Sequence, residues 1–104
     1  MDTLTRLETT VAARLTADPD SSYVASLNAR GLPTIARKFG EEAVETVIAA
    51  LSGTDAELVG EAADVLFHLT VLLAAKGIPI EQVMAELERR EGTSGLEEKA
   101  NRSR

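Results

Sequence analysis

Four acidic residues near the middle of the chain have the types and spacing of a site for a divalent metal ion. Glu42 and Glu45 are three residues apart, and Glu61 and Asp64 repeat this spacing. Residues three apart lie on one face of a helix, so each pair can present two carboxylates in the same direction. Carboxylate oxygens favour Mg²⁺, Mn²⁺ or Ca²⁺ over zinc. Mg²⁺ usually keeps water positions, which substrate phosphates can fill.

A predicted turn at residues 52–54 brings the two acidic pairs face to face. Glu42 and Asp64 each lie 11 residues from the centre of this turn. Glu45 and Glu61 each lie eight residues from it. In an antiparallel pair of helices whose axes are roughly 8–10 Å apart, positions at equal distance from the turn meet. The spacing therefore predicts one ion held between two helices.

The alternative is a solvated acidic face, because Glu-rich helices are common. Carboxylates that are partly buried are costly unless they are paired or bound to a metal. Asp64 stands between Ala63 and Val65 in an otherwise apolar stretch, where burial of an unpaired acid is unfavourable. The second acidic pair and the apolar setting of Asp64 favour a metal site and predict that Asp64 is buried.

Flanking residues suggest weaker roles. Lys38 lies four residues before Glu42 and either contacts a substrate phosphate or forms an ordinary helical ion pair. Glu41 is a further ligand, a group that orients water, or a solvated side chain. His68 lies one helical turn beyond the second acidic pair, where a hydrogen bond or core packing is favoured over direct ligation. Tyr23 either stacks on a base or packs in the core, and packing is favoured.

The elements that position these residues are helices divided by Pro, Gly and capping residues. The fold class predicted is all-α, a helical bundle of four to five helices in a single domain over 1–104, without a convincing strand. Residues 91–104 are polar and lack periodicity, so they are predicted to be a tail. The predicted helices cover 3–16, a segment capped by Ser21 or Ser22 and ending at Arg30, a segment from a Thr34 cap to about Leu51, roughly 56–76 after an Asp55 cap, and Pro79 to Arg90.

The fourth predicted helix is apolar on nearly every face from Ala62 onward. A helix that is apolar all round must be buried all round. The other helices of a 104-residue chain cannot easily surround it. We therefore expect the core to be completed by homodimerisation.

Composition excludes several functional classes. With 17 acidic and 11 basic residues, the chain has a net charge of -6, which argues against nucleic-acid binding. It has no Cys, which excludes disulfides, thiol nucleophiles and Cys-ligated zinc. The polar N-terminal segment does not resemble a signal peptide, and the apolar run over 65–75 is too short to span a bilayer. A soluble, cytoplasmic protein without a membrane partner is expected.

The pattern EExxE followed by ExxD resembles the all-α NTP pyrophosphohydrolase (MazG-like) superfamily. Within it, the chain more closely resembles the phosphoribosyl-ATP pyrophosphohydrolase family of histidine biosynthesis. Phe39 and Phe67 stand where a small aliphatic residue and a Tyr are often expected, but they leave the acidic pattern intact. The matching segments are SSYVASL (21–27), GLPTIARKFGEEAVETVIAAL (31–51), ELVGEAADVLFHLTVLLAAKGI (57–78) and LERREGTSGLEEKANR (87–102).

This resemblance implies Mg²⁺-dependent hydrolysis of 1-(5-phosphoribosyl)-ATP to 1-(5-phosphoribosyl)-AMP and pyrophosphate. It also implies the stand-alone form, without the fused domain for the following step that some members carry. The family motif places metal ligands at four positions of this chain: Glu42, Glu45, Glu61 and Asp64.

The resemblance implies a role for Glu41, and a hypothesis for the mechanism adds roles for other residues. Glu41 falls on the motif as a ligand or a water-orienting group, and Glu45 is the other carboxylate that could orient or deprotonate the water. Lys38, Arg30 and Lys99 are expected to hold the phosphoribosyl phosphate. The polar tail is expected to close over the substrate.

Two other functions remain open from the sequence. A house-cleaning (d)NTP pyrophosphohydrolase would use the same acidic site on a free nucleotide. A helical dimerisation module would leave the acidic face idle and would bind no metal. The SY segment and the SG…EKA tail favour the histidine pathway over the first alternative, and the paired carboxylates disfavour the second.

Overall fold

In the computed structural model of the chain, which describes residues 2–92 and 95–102, the regular elements are all helices. This confirms the all-α prediction. Five helices precede residue 91, and a sixth lies in the predicted tail. In chain order they are α1 (Thr3–Arg14), α2 (Tyr23–Arg30), α3 (Leu32–Ser52), α4 (Asp55–Ala75), α5 (Ile80–Arg90) and α6 (Gly95–Arg102).

Side-chain caps set where three of the helices begin. The carboxylate of Asp2 accepts a hydrogen bond from the N–H of Thr5 at 2.8 Å and caps α1. Ser22 caps α2 in the same way, which confirms one of the two predicted caps. Thr54 caps α4 by accepting from the N–H of Glu57, so the prediction that Asp55 is the cap was wrong by one residue.

The corner between α2 and α3 depends on a glycine. Gly31 has φ 98°, a conformation that side chains rarely adopt. Its N–H donates to the carbonyls of Leu27 and Asn28, which ends α2, and α3 follows at once with Pro33 in its first turn. The prediction that Thr34 caps α3 was therefore wrong, because the glycine corner starts the helix earlier.

Helices α3 and α4, each of 21 residues, form the antiparallel hairpin that the spacing predicted. Gly53 joins them at a point where space is tight. A Cβ atom added there would lie 3.0 Å from the carbonyl oxygen of Ala49 and 3.1 Å from Glu57 Oε2. Because Ala49 belongs to the backbone of the last turn of α3, the end of this helix favours glycine at this position.

The buried core lies where α1, α2, the start of α3 and the second half of α4 meet. Its fully buried members are Val11, Leu27, Ile35 and Val71. Helix α5 has no buried residue among those described, and its first turn is attached to α1. The N–H of Ile80 donates to Glu8 Oε2 at 2.7 Å across 72 residues of sequence.

Much of the apolar surface of α3 and α4 is uncovered within one chain. Asp64 is exposed in the single chain, and its burial in the expected homodimer stays a prediction. The exposure arises because α4 packs against α1 and α3, which leaves its outer faces open. Exposed large apolar residues on the two helices include Val44, Val47, Ile48, Leu51, Val59 and Leu66.

Helix α4 is long and apolar enough, by length and composition, to cross a membrane. It has 21 residues and a mean hydropathy of 1.7 in its most apolar window. The prediction from the sequence considered only the apolar run over 65–75, which is shorter than the whole helix. Core helices of soluble proteins pass the same test, and α4 carries Glu61 and Asp64 toward the acidic residues of α3.

The predicted irregular tail contains α6. The sequence of this helix includes Leu96, Lys99, Ala100 and Arg102, which are good helix formers. Leu96 is 83% exposed, so the described side chains of α6 form no buried apolar stripe. The prediction relied on such a stripe and therefore missed it. Residues 93–94 and 103–104 of the predicted tail lie outside the described residues.

Candidate metal centre

Three of the four predicted metal ligands meet between α3 and α4. Glu42 and Glu45 project from α3, and Glu61 projects from α4. One carboxylate oxygen of each can be chosen so that all three atoms lie within 4.8 Å of one another. This acidic triad arises because i, i+3 spacing aligns the two α3 residues and the turn at Gly53 places Glu61 opposite them.

Two oxygens of the acidic triad have no hydrogen-bond donor among the residues that the structure describes. Glu42 Oε2 and Glu61 Oε2 are buried and accept no hydrogen bond. A buried carboxylate oxygen without a donor or cation loses its hydration without compensation. An ion that binds oxygen ligands would supply the missing partner to both residues at once. The donor set therefore fits a hard divalent cation such as Mg²⁺.

The electrostatics of the acidic triad also favour a cation. Burial raises the pKa of Glu42 above its usual value, and the side chain of Glu45 and the charge of Asp64 raise it further. The pKa of Glu61 is raised by the same causes, burial first. Each group holds its proton more tightly because a second negative charge nearby is unfavourable. A divalent cation would replace those protons.

Asp64, the fourth predicted ligand, lies near the acidic triad but outside it. Its charge contributes to the raised pKa of Glu42 and Glu61 after burial and the Glu45 side chain. It is exposed and is not among the three residues whose oxygens lie within 4.8 Å of one another. Ligation by Asp64 therefore stays a prediction.

Lys38 and Glu41 contact each other. Lys38 Nζ donates to Glu41 Oε2 at 3.3 Å, and Arg37 Nε lies 3.6 Å from Glu41 Oε1. This is the ion pair that the sequence left open as the alternative for Lys38. Lys38 has three N–H donors and Glu41 has two carboxylate oxygens, so the pair leaves hydrogen-bonding capacity on both side chains.

The two remaining predicted substrate-binding residues lie at the ends of other helices. Arg30 is exposed in the last turn of α2, beside the Gly31 corner. Lys99 is exposed in the last turn of α6. Their contact with a substrate stays a prediction.

One connection beside the site was not predicted. Tyr23 Oη lies 3.1 Å from His68 Nε2, and His68 Nδ1 lies 2.8 Å from the carbonyl oxygen of Asp64. His68 is thus hydrogen-bonded at both ring nitrogens, as the sequence favoured over direct ligation. Tyr23 and His68 are 45 residues apart, and no local pattern in the sequence pairs them.

A cavity of about 210 Å³ lies beside Glu45 and Glu61 and extends toward the turn between α3 and α4. Drug-sized ligands usually occupy about 300–1,000 Å³. The cavity therefore has room for phosphate groups and water, while the base and sugars of a nucleotide would extend beyond it. Its lining residues are Glu45, Ile48, Ala49, Ser52, Gly53, Glu57 and Glu61.

Comparison of the sequence with known proteins identifies the family. Residues 4–91 match the family model described as phosphoribosyl-ATP pyrophosphohydrolase. A phosphoribosyl-ATP pyrophosphatase of Erythrobacter litoralis is 70% identical over 98% of this chain and 98% of its own length. One from Novosphingobium aromaticivorans is 65% identical over 96% of this chain and 94% of its own. One from Dinoroseobacter shibae is 59% identical over 98% and 100%. The chain belongs to the phosphoribosyl-ATP pyrophosphohydrolase family.

Proposed function

We propose that the protein hydrolyses 1-(5-phosphoribosyl)-ATP to 1-(5-phosphoribosyl)-AMP and pyrophosphate, the second step of L-histidine biosynthesis. The relatives are named for this reaction and match nearly the whole chain. The main support for the proposal is the acidic triad, in which two buried carboxylate oxygens lack a hydrogen-bond donor among the described residues. Such a site suits a substrate whose phosphates share a cation with the protein.

Mg²⁺ is the proposed cofactor. Glu42, Glu45 and Glu61 would hold it, and Asp64, exposed beside them, would complete the set. When bound, the ion would neutralise negative charge on the substrate phosphates and on the transition state. The adjoining cavity leaves room for those phosphates.

The chain's own residues would orient the reactants. Water adds across the anhydride bond between the α and β phosphates, and pyrophosphate leaves. Glu45 is exposed and lines the cavity, so it can accept a hydrogen bond from the attacking water and take its proton. Glu41 is the second candidate, because its carboxylate can accept from water while it stays paired with Lys38. Lys38, together with Arg30 and Lys99, would bind phosphate oxygens.

We also propose a homodimer located in the cytoplasm. The uncovered apolar residues of α3 and α4 support it, because contiguous apolar surface on a soluble protein usually marks an interface. Sedimentation at micromolar concentration tests it, with a dimer expected. A stable monomer would contradict the proposal and leave these side chains exposed to water.

A nucleotide panel tests the substrate. Initial rates of pyrophosphate release from phosphoribosyl-ATP, ATP, dATP and dCTP are compared at equal concentration with Mg²⁺. The proposal expects the highest kcat/KM for phosphoribosyl-ATP. A clear preference for a free deoxynucleotide would replace it with the house-cleaning function, and no release from any of the four by the folded protein would contradict both enzymes.

A further inference from the structure

The tyrosine and the histidine of this chain form one directional chain of hydrogen bonds. The sequence contains a single Tyr and a single His. The carbonyl oxygen of Asp64 can only accept, so His68 Nδ1 at 2.8 Å must carry a proton and donate it. In a neutral imidazole Nε2 is then an acceptor, and the hydroxyl of Tyr23 at 3.1 Å donates to it.

Burial differs sharply between the two partners. His68 is 6% exposed, whereas Tyr23 is 50% exposed. The Tyr23 ring lies against Phe67, with ring centroids 6.1 Å apart and planes at 22°, and Phe67 meets His68 edge-on at 5.2 Å. The aromatic ring of Tyr23 therefore accounts for its packing. Its hydroxyl has a separate use, the bond to His68.

We propose that Tyr23 and His68 form a positioning pair for the metal centre. This inference rests on the proposed function and names two residues that serve the same site. Tyr23, in the first turn of α2, fixes the imidazole, and the imidazole holds the turn of α4 that begins at Asp64. Asp64 and His68 are four residues apart and share a helix face, so the pair steadies the side of α4 that faces α3.

The pair lowers the cost of assembling ligands from two helices. Glu61 and Asp64 must keep their place relative to α3 for an ion to bind, and motion of α4 would oppose this. The pair ties α4 to α2, and the Gly31 corner ties α2 directly to α3. His68 has no free ring nitrogen in this arrangement, so it acts through Asp64 and not as a ligand.

Tyr23→Phe tests the pair because it removes one oxygen atom and keeps the ring that packs on Phe67. Ser26→Ala is the matched control: it removes another hydroxyl from α2, one that donates to the carbonyl of Tyr23 and not to α4. Calorimetric titration of Mg²⁺ into the metal-free protein should give a dissociation constant about three- to tenfold weaker for Tyr23→Phe. Ser26→Ala should match the wild type.

A second measurement needs neither metal nor substrate. Long-range ¹H–¹⁵N NMR of the single imidazole should show the Nδ1–H tautomer in the wild type. In Tyr23→Phe, the Nε2 shift should move away from that of a hydrogen-bonded acceptor. Wild-type Mg²⁺ affinity in Tyr23→Phe, or an Nε2–H tautomer in the wild type, would overturn the pair. Failure of the proposed function is distinct: it is a wild type that binds Mg²⁺ but releases no pyrophosphate from phosphoribosyl-ATP.

Discussion

Glu86 on α5 and the acidic triad between α3 and α4 have carboxyl pKa values that are shifted in opposite directions. On α5, Glu86 accepts from Arg89 Nη2 at 2.6 Å and from Arg90 Nε at 3.2 Å. Hydrogen bonds from these two arginines lower the pKa of Glu86 to about 2. Between α3 and α4, burial and then neighbouring carboxylates raise the pKa of Glu42 and Glu61.

The difference shows at which of the two sites the protein itself compensates the negative charge. Glu86 has its countercharges within its own helix, so its negative charge is compensated by the protein alone. Glu42 and Glu61 each keep a buried oxygen without a partner and face other acids. A cluster that the protein leaves uncompensated is a stronger indication of a bound cation than the number of acidic residues.

Neutralising one carboxylate at each site should produce the largest difference in activity. Glu61→Gln removes an anionic oxygen from the triad, and we expect kcat/KM for pyrophosphate release to fall about 100-fold or more. Glu86→Gln is the matched control on α5 and should keep the wild-type value. Equal losses of kcat/KM in the two variants would contradict the assignment of the metal centre to the acidic triad.

Mg²⁺ should stabilise the protein through the acidic triad. Binding to the native state alone adds about 2.7 kcal/mol of stability when the ion is at 100 times its dissociation constant. Thermal unfolding with and without Mg²⁺ should therefore show a higher Tm for the wild type and for Glu86→Gln, and little change for Glu45→Ala. A shift that survives in Glu45→Ala would place the ion elsewhere.

The acidic triad and Glu86 should also contribute to stability with opposite dependence on pH. A raised pKa means that the native state holds protons more tightly than the unfolded chain, so Glu42 and Glu61 favour the metal-free fold at low pH. This contribution is lost as pH rises from about 4.5 through the raised values. Glu86 contributes above pH 4.5 and loses its contribution as pH falls toward 2.

Urea unfolding of the metal-free protein between pH 4 and 8 measures this dependence. Glu42→Gln should flatten the decline toward high pH, and saturating Mg²⁺ should remove it. Glu86→Gln should leave that decline in place. A metal-free wild type whose stability rises steadily up to pH 8, with no effect of Glu42→Gln, would show that ionisation of the acidic triad does not destabilise the fold.

The smallest effect is expected on α5 itself. Arg89→Ala removes the closer partner of Glu86, so the pKa of that carboxyl should rise toward the ordinary value of 4.5. Carboxyl ¹³C NMR follows this change directly. Pyrophosphate release should stay at the wild-type rate, and a large loss of activity would show that α5 contributes to the site.

The hairpin that carries the triad was predictable because its geometry is regular. Spacing of three residues fixes a helix face, and a short turn fixes which positions meet across the pair. Glu42, Glu45 and Glu61 converge as these rules require. The family resemblance found in the same segments was confirmed by relatives that match nearly the whole chain.

Features that depend on packing between distant segments were not predictable. Asp64 was expected to be buried from its apolar neighbours, but burial depends on which faces of α4 are covered, and composition does not reveal that. The hydrogen bond from Tyr23 to His68 joins residues 45 positions apart. Helix α6 has residues of high helix propensity, but its described side chains form no buried apolar stripe, which is the pattern that predicts a helix.

The most direct test is pyrophosphate release from phosphoribosyl-ATP, with and without Mg²⁺, by the wild type and by Glu45→Ala. Glu45 is chosen because it belongs to the acidic triad and lines the cavity. We expect release by the wild type that requires Mg²⁺ and is lost in Glu45→Ala, while both proteins remain folded. Release that proceeds equally without added ion in the presence of a chelator, or that persists in the variant, would contradict a metal centre at these carboxylates.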